Sequence, residues 1–465
     1  MSDKLQKKSK GTLSVFQLAM MTTISVASLR GLPAMAIEGY ASILMYLIPA
    51  LLFLVPTALV SAELGTTYSG GIFEWITKAF GKRLGFLAIW LQWIQNVVWF
   101  PIQLAFIASA CAFVIGDPGG LSNSGIYTGI MIIVVYWIAT FLALKGGNLF
   151  AKLSTIGGVI GILIPAGLLV VLAGIWLTTQ KVSPDLANSS FLPKISGLSS
   201  LVLIISNILS YAGMEMNAVH VAQMKNPKKD FTKAIILAFG MILGIFIIPT
   251  LAIAVAVPAS KIGMADGILV AFSTFFDYFG LPFMSNILAL MIVLGALASV
   301  ITWVAGPSRG LLAAAHQGLL PRKLQSTNQH GVQSSILVFQ GVIVSLLALI
   351  YVIVPNVSDV FMALIGMASA LYLIMYLFMF AASIILRKKD PDTPRGYKVP
   401  ALLGVSTLGF IACALAFIVS FVPSSNEATI APQLYPLVVL AVVVVLGVPP
   451  LIFYALRRPS WKAKD

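Results

Sequence analysis

Runs of apolar residues, each ended by a short polar segment, recur along the whole chain. About 20 residues at 1.5 Å each span the hydrocarbon core of a bilayer, so each run is predicted to be a membrane-crossing helix. Twelve such spans fall at roughly 14–36, 42–64, 84–115, 124–144, 153–178, 199–221, 232–257, 283–314, 335–354, 360–386, 401–422 and 433–456. The predicted fold is an all-α integral membrane protein with twelve transmembrane helices. The joining segments are short, which points to one compact membrane domain. The longest are 178–198 and 258–282, and the second has room for short helices lying on the surface.

Two runs are interrupted. The first holds Thr22, Thr23, Ser25 and Ser28 at mid-span, followed by Arg30-Gly31-Leu32-Pro33. The sixth holds Ser206-Asn207 and then Ser210-Tyr211-Ala212-Gly213-Met214-Glu215. A carboxylate at bilayer depth costs several kcal/mol unless it faces protein or water, so Glu215 is a candidate functional group. Small residues in one membrane helix commonly serve close helix packing. Two clusters five spans apart, one with a carboxylate and one with an arginine, instead suggest an inverted repeat whose broken helices meet at the membrane midplane. The divisions that follow are a tail at 1–11, a first repeat at 12–198 and a second at 199–386. Peripheral spans occupy 387–456, with a second tail at 457–465. Free backbone groups and helix dipoles at the breaks suit a substrate carboxylate and its amino group.

Composition agrees with a membrane protein: 59% of the 465 residues are hydrophobic and only 9% are charged, with a mean hydropathy of +1.00. No soluble globule of this length has that balance. The net charge of +14 raises the question of a nucleic-acid partner, and its distribution answers it. With twelve spans and an internal N-terminus, 25 of the 29 basic residues fall in cytosolic segments. Lys181, Lys194 and Lys261 fall outside, and Arg30 lies within a span. This asymmetry predicts a multi-pass protein of the cytoplasmic membrane with both termini cytosolic, its basic loops meeting anionic lipid. Cys111 and Cys413 sit in apolar spans as small hydrophobes. His220, His316 and His330 are scattered without ligand spacing. No Walker loop, zinc motif or nucleophile elbow occurs in the sequence, so no enzymatic chemistry, cofactor or metal is expected.

Several segments resemble the amino acid–polyamine–organocation superfamily of transporters. Tyr211-Ala212-Gly213-Met214-Glu215 with Lys225-Asn226-Pro227-Lys228 looks like its sixth-span signature. Glu63-Leu64 with Ser69-Gly70-Gly71 resembles its second-span exit, and Gly306-Pro307-Ser308-Arg309-Gly310 the end of its eighth span. Pro394-Arg395-Gly396-Tyr397-Lys398-Val399-Pro400 resembles the loop before span 11. Ser28-Leu29-Arg30-Gly31-Leu32-Pro33 departs from the usual Gly-Ser-Gly break. It is similar to the glutamate/GABA antiporter branch, as are the segment from Trp90 to Pro101 and Ile301-Thr302-Trp303. The resemblance implies a LeuT-type five-plus-five inverted repeat with two peripheral helices. It also implies secondary exchange of a small amino acid for its decarboxylation product or another amino acid. A proton-coupled uptake permease is the alternative.

On this reading the backbone at Ser25, Val26, Ala27 and Ser28 binds the α-carboxylate and α-amino group. Glu215 either faces the ammonium group or acts as a protonatable gate. Trp303 forms an aromatic wall, and Tyr211, Ala212 and Asn96 complete the substrate-binding set. Asn96 and Gln95 could equally bond across helices. Trp90, Trp93 and Trp99 read as a packing stripe. Arg30 either binds an anionic side chain or reaches back to a helix C-terminus and stabilises the break. Glu63 and Glu74 are expected to pair with Lys or Arg. The expected partners are amino acid and amine substrates and membrane lipids, with the protein a monomer or homodimer.

Overall fold

The computed structural model describes residues 14–145, 156–194, 198–217, 224–263, 266–354, 356–423 and 431–462. Among them the regular structure is helical throughout, and ten helices are long and apolar enough to cross a membrane. His220 lies outside the described residues. Helix α1 (Val15–Val26) opens on a capping box in which the Ser14 hydroxyl accepts the Gln17 N–H and the Gln17 side chain accepts the Ser14 N–H. A short α2 (Leu32–Ala36) follows. Next come α3 (Ala41–Thr67), α4 (Gly71–Phe80), α5 (Lys82–Ile115), α6 (Gly125–Leu144) and α7 (Ile156–Thr179). The remainder comprises α8 (Leu198–Ser210), α9 (Pro227–Ala256), α10 (Gly267–Tyr278), α11 (Phe283–Leu319), α12 (Ser334–Ile353), α13 (Val357–Lys389), α14 (Leu402–Val419) and α15 (Tyr435–Leu456).

Helix α5 forms the centre of the bundle, with 78% of its apolar window buried. Helices α4, α11 and α13 pack directly on it, α6 packs on α12, and α9 packs on α1 and α7. At the periphery α15 is only 17% buried over the same kind of window. Its Leu437, Leu440, Val444 and Val445 are exposed at helical spacing, as an apolar face toward lipid requires. Prolines shape two spans. Pro56 follows a π turn at Ala50–Leu54 in α3, and Pro165 follows one at Val159–Leu163 in α7. Each proline lacks an N–H and crowds the carbonyl four residues back, so the ladder widens locally.

Both interruptions read from the sequence are present in the structure. Ala27 leaves the helical region at φ −65° and ψ 131°, ending α1, and Pro33 starts α2 at its second position. Helix α8 ends at Ser210, and Gly213 turns the chain with φ +110°, a conformation a β-carbon disfavours. A 3-10 turn at Met214–Asn217 follows, and α1 packs against it. The breaks therefore face each other; a β-carbon placed on Gly31 would meet Ser210 Oγ at 3.8 Å.

Two elements lie outside the spans. Helix α10 occupies the 258–282 segment, where short helices were expected, and buries Ile268, Leu269, Phe272, Phe275 and Phe276 along one side. Helix α4 has no counterpart among the predicted spans. It buries Ile72, Phe73, Trp75 and Ile76, and the Trp75 indole N–H donates to the Tyr68 carbonyl at 2.8 Å. Glu74 pairs with Lys78 at 3.6 Å on its exposed side.

Candidate functional site

Between the two breaks lies a cavity lined by residues of both. Val26, Ala27, Ser28 and Arg30 border it from the first break, and Ser210 and Ala212 from the second. Helix α5 contributes Asn96, Trp99 and Gln103 on one face, α11 contributes Trp303, and α13 contributes Tyr372. The walls are thus drawn from the most buried helix and from the two least regular ones. That combination gives a rigid side opposite backbone freed from helical pairing.

Trp303 is held by its own backbone and ring. Its carbonyl accepts Asn96 Nδ2 at 2.9 Å, and its indole lies 6.0 Å from the Trp99 ring centroid. Asn96 therefore bonds across helices and borders the cavity at once, uniting the two readings given for it. Gln95 also borders the cavity, with its amide 3.4 Å from the Gln92 carbonyl.

The aromatic stripe divides. Trp90 donates to the Leu446 carbonyl at 2.7 Å and Trp93 to Gln340 Oε1 at 2.6 Å, so both tie α5 to neighbouring helices. Trp99 instead lines the cavity, which differs from the packing role expected for it.

Glu215 is buried at 4% exposure and sits one layer behind the cavity wall. Three neutral donors hold it. Gln92 Nε2 reaches Oε1 at 3.0 Å, the Tyr372 hydroxyl donates to the same oxygen, and the Tyr376 hydroxyl donates to Oε2 at 2.7 Å. Tyr376 also accepts the Gly213 N–H at 3.1 Å. Of these partners Tyr372 alone borders the cavity, and so stands between it and the carboxylate. Sequence reasoning missed all three. The available signal was Tyr372 and Tyr376 at i and i+4 in an apolar run, which puts both hydroxyls on one helix face.

Tyr211 also differs from its expected position. It is fully buried, its hydroxyl donates to the Tyr46 carbonyl at 2.9 Å, and its ring packs edge-on against Phe246. With that hydroxyl satisfied by α3, Tyr211 faces away from the cavity and its neighbour Ala212 faces in. The Ser25 side chain lies outside the described residues. Glu63 and Glu74 meet cations, as expected. Glu63 pairs with Arg387 and Arg395 near the end of α3.

Among the described residues the Arg30 guanidinium forms no ion pair and its Nε has no hydrogen-bond partner. It rests 5.5 Å from the centroid of the Phe361 ring. No group of three or more metal-binding side chains occurs among the described residues.

Comparison with known proteins gives a consistent result. The family model described as amino acid permease matches residues 13–446. An uncharacterized transporter of Legionella pneumophila is 37% identical over 424 residues, covering 90% of this chain and 91% of that protein. A glutamate/gamma-aminobutyrate antiporter of Lactococcus lactis is 31% identical over 456 residues, covering 96% of this chain and 90% of its own. A probable agmatine/putrescine antiporter of the same species is 27% identical, with 95% and 94% covered.

Proposed function

The chain belongs to the amino acid permease family, a family of multi-pass membrane transporters, and from that premise we propose that it is an exchanger. It swaps a small amino acid for its decarboxylation product, or for another amino acid, across the cell membrane by alternating access. The observation that carries this reading is the cavity between the two helix breaks, with a buried carboxylate one side chain behind it. The names of the two Lactococcus relatives, a glutamate/gamma-aminobutyrate antiporter and a probable agmatine/putrescine antiporter, support it.

Backbone groups at Ser25, Val26, Ala27 and Ser28 take the α-carboxylate and α-amino group. The ammonium lies toward the C-terminal end of α1, where the aligned peptide dipoles are negative. Trp303 and Trp99 wall the side chain, while Asn96 fixes Trp303, and Ala212 closes the opposite side. Glu215 is the gate, and Tyr372 is its link to the cavity. A proton reaching Glu215 removes the charge that holds Tyr372 and Tyr376, and the second break, tied to Tyr376 through Gly213, is then released. Twelve spans with a five-plus-five inverted repeat, cytosolic termini and two peripheral helices complete the reading, with the protein acting as monomer or homodimer.

The same carboxylate would serve a proton-coupled uptake permease, and counterflow separates the two. Purified protein in vesicles preloaded with unlabelled amino acid should accumulate labelled substrate, whereas empty vesicles should not. Equal uptake by empty and loaded vesicles, driven by an inward proton gradient, would replace exchange with symport.

A further inference from the structure

Arg30 lies in the first break at 8% exposure, and it is the only charged side chain among the described residues lining the cavity. Its Nε has no hydrogen-bond partner, and a buried guanidinium left short of acceptors carries a desolvation penalty of several kcal/mol. A contact with one phenylalanine ring returns about 0.5–2 kcal/mol of it. The ion pairs among the described residues use Lys78, Arg387 and Arg395, and none of them reaches Arg30. Glu215 does not neutralise it either, because that carboxylate is already held by Gln92, Tyr372 and Tyr376. The hydroxyl of Tyr351, a neighbour of Arg30, is itself without a hydrogen-bond partner.

A second unpartnered group borders the same cavity. Gln103 Oε1 is buried and accepts no hydrogen bond. Gln103 lies seven residues beyond Asn96, two turns further along the same face of α5. One wall therefore offers a free acceptor, and the first break brings to the same cavity a cation whose Nε is unpaired. Unsatisfied buried groups are rare in native proteins and call for a partner. A planar carboxylate meets a guanidinium with two parallel hydrogen bonds, the strongest such pairing available.

We propose that Arg30 is a specificity-determining residue that binds an anionic group on the substrate side chain, so that the cavity prefers acidic amino acids over their neutral amides. Gln103 Oε1 is a further acceptor for the ammonium group, which acids and amides share, so it does not itself discriminate between them. This inference rests on reading the cavity as an amino-acid site, and its test separates the two.

The experiment is counterflow by purified protein in vesicles, with glutamate, aspartate, glutamine and asparagine as competitors of a labelled amino acid. Wild type should take the acids at least about tenfold better than the amides. Arg30→Gln should lose that preference, with competition by the acids falling far more than competition by the amides. Arg30→Lys keeps the charge without the planar fork and should retain part of the preference. Equal losses for acids and amides in Arg30→Gln would assign Arg30 to the α-carboxylate or to structure and overturn the proposal. No acid preference in wild type would overturn it regardless of how any variant folds. Absence of counterflow with every amino acid would instead remove the exchange reading on which it rests.

Discussion

The Tyr376 hydroxyl donates to Glu215 Oε2 at 2.7 Å while it accepts the Gly213 N–H at 3.1 Å. One side chain of α13 thus holds both the bend of the second break and the carboxylate beside it. A buried N–H left unpaired costs about 1–3 kcal/mol, so the bend depends on that hydroxyl. Loss of the carboxylate's charge weakens the grip on the same hydroxyl, since hydrogen bonds to charged groups are the stronger ones. The bend of the break and the carboxylate are coupled through these two bonds.

From that coupling, Glu215→Gln should keep the shape of the site but remove its titration. Exchange in reconstituted vesicles should fall sharply or lose its pH dependence, while insertion and folding survive. Tyr376→Phe should lower exchange as well, because it deletes a bond to a charged group, about 1.5–3 kcal/mol, and strands the Gly213 N–H. A Glu215→Gln variant with wild-type rate and an unchanged pH profile would remove Glu215 from the gating role.

A second carboxylate should behave in the opposite way. Glu63 accepts from Arg387 Nε at 2.8 Å, from a second Arg387 nitrogen and from the Val399 N–H at 2.7 Å, with Arg395 Nε at 3.1 Å. These bonds clamp α3 to the end of α13 and to the segment that leads into α14. Breaking a buried pair costs about 3–5 kcal/mol, and the partial exposure of Arg387 puts the expected loss for Glu63→Gln near the lower figure. The thermal midpoint of the detergent-purified protein should drop by several degrees on this account, with the pH profile of exchange where it was. An unaltered midpoint would show that the clamp carries no stability.

The contrast between Glu215 and Glu63 also indicates what a single chain makes legible. Both breaks could be read because Ser28, Arg30, Gly31 and Pro33, and then Tyr211, Gly213 and Glu215, stand out against apolar runs. Helix α4 could not, because its ten residues are too few to span a bilayer and its apolar face is only visible once α5 is beside it. The partners of Glu215 come from residues 123 to 161 positions away, and no local period encodes such pairing. Tyr211 and Ala212 were expected to face the cavity together, and only Ala212 does, because direction within a non-helical turn follows neither the 3.6 nor the 2.0 period. Trp99 was grouped with Trp90 and Trp93 by composition, and only the tertiary arrangement turns it toward the cavity.

The last prediction concerns the contact that sets the cavity's width. A β-carbon on Gly161 of α7 would lie 2.2 Å from Gly295 Cα of α11, and one on Gly295 would lie 2.3 Å from Gly161 Cα. Backbone meets backbone there, so no side chain can swing aside to make room. One turn earlier a β-carbon on Gly157 would meet the Ala298 methyl at 2.2 Å, which extends the close seam typical of small-xxx-small pairs. Gly161 and Gly295 both border the cavity, so separating the helices displaces its wall. Gly161→Ala and Gly295→Ala should each cost about 1–3 kcal/mol of stability from overpacking. Exchange should fall further than that loss explains, because the α7 wall moves relative to Trp303 on α11. Gly167→Ala and Gly174→Ala provide the control: both lie on α7 with nothing within 4 Å of the added carbon, and both should behave as wild type. If the four variants are indistinguishable in thermal midpoint and exchange rate, the α7–α11 seam does not set the cavity. If only the seam variants lose exchange, backbone proximity at Gly161 and Gly295 fixes the geometry in which substrate is held.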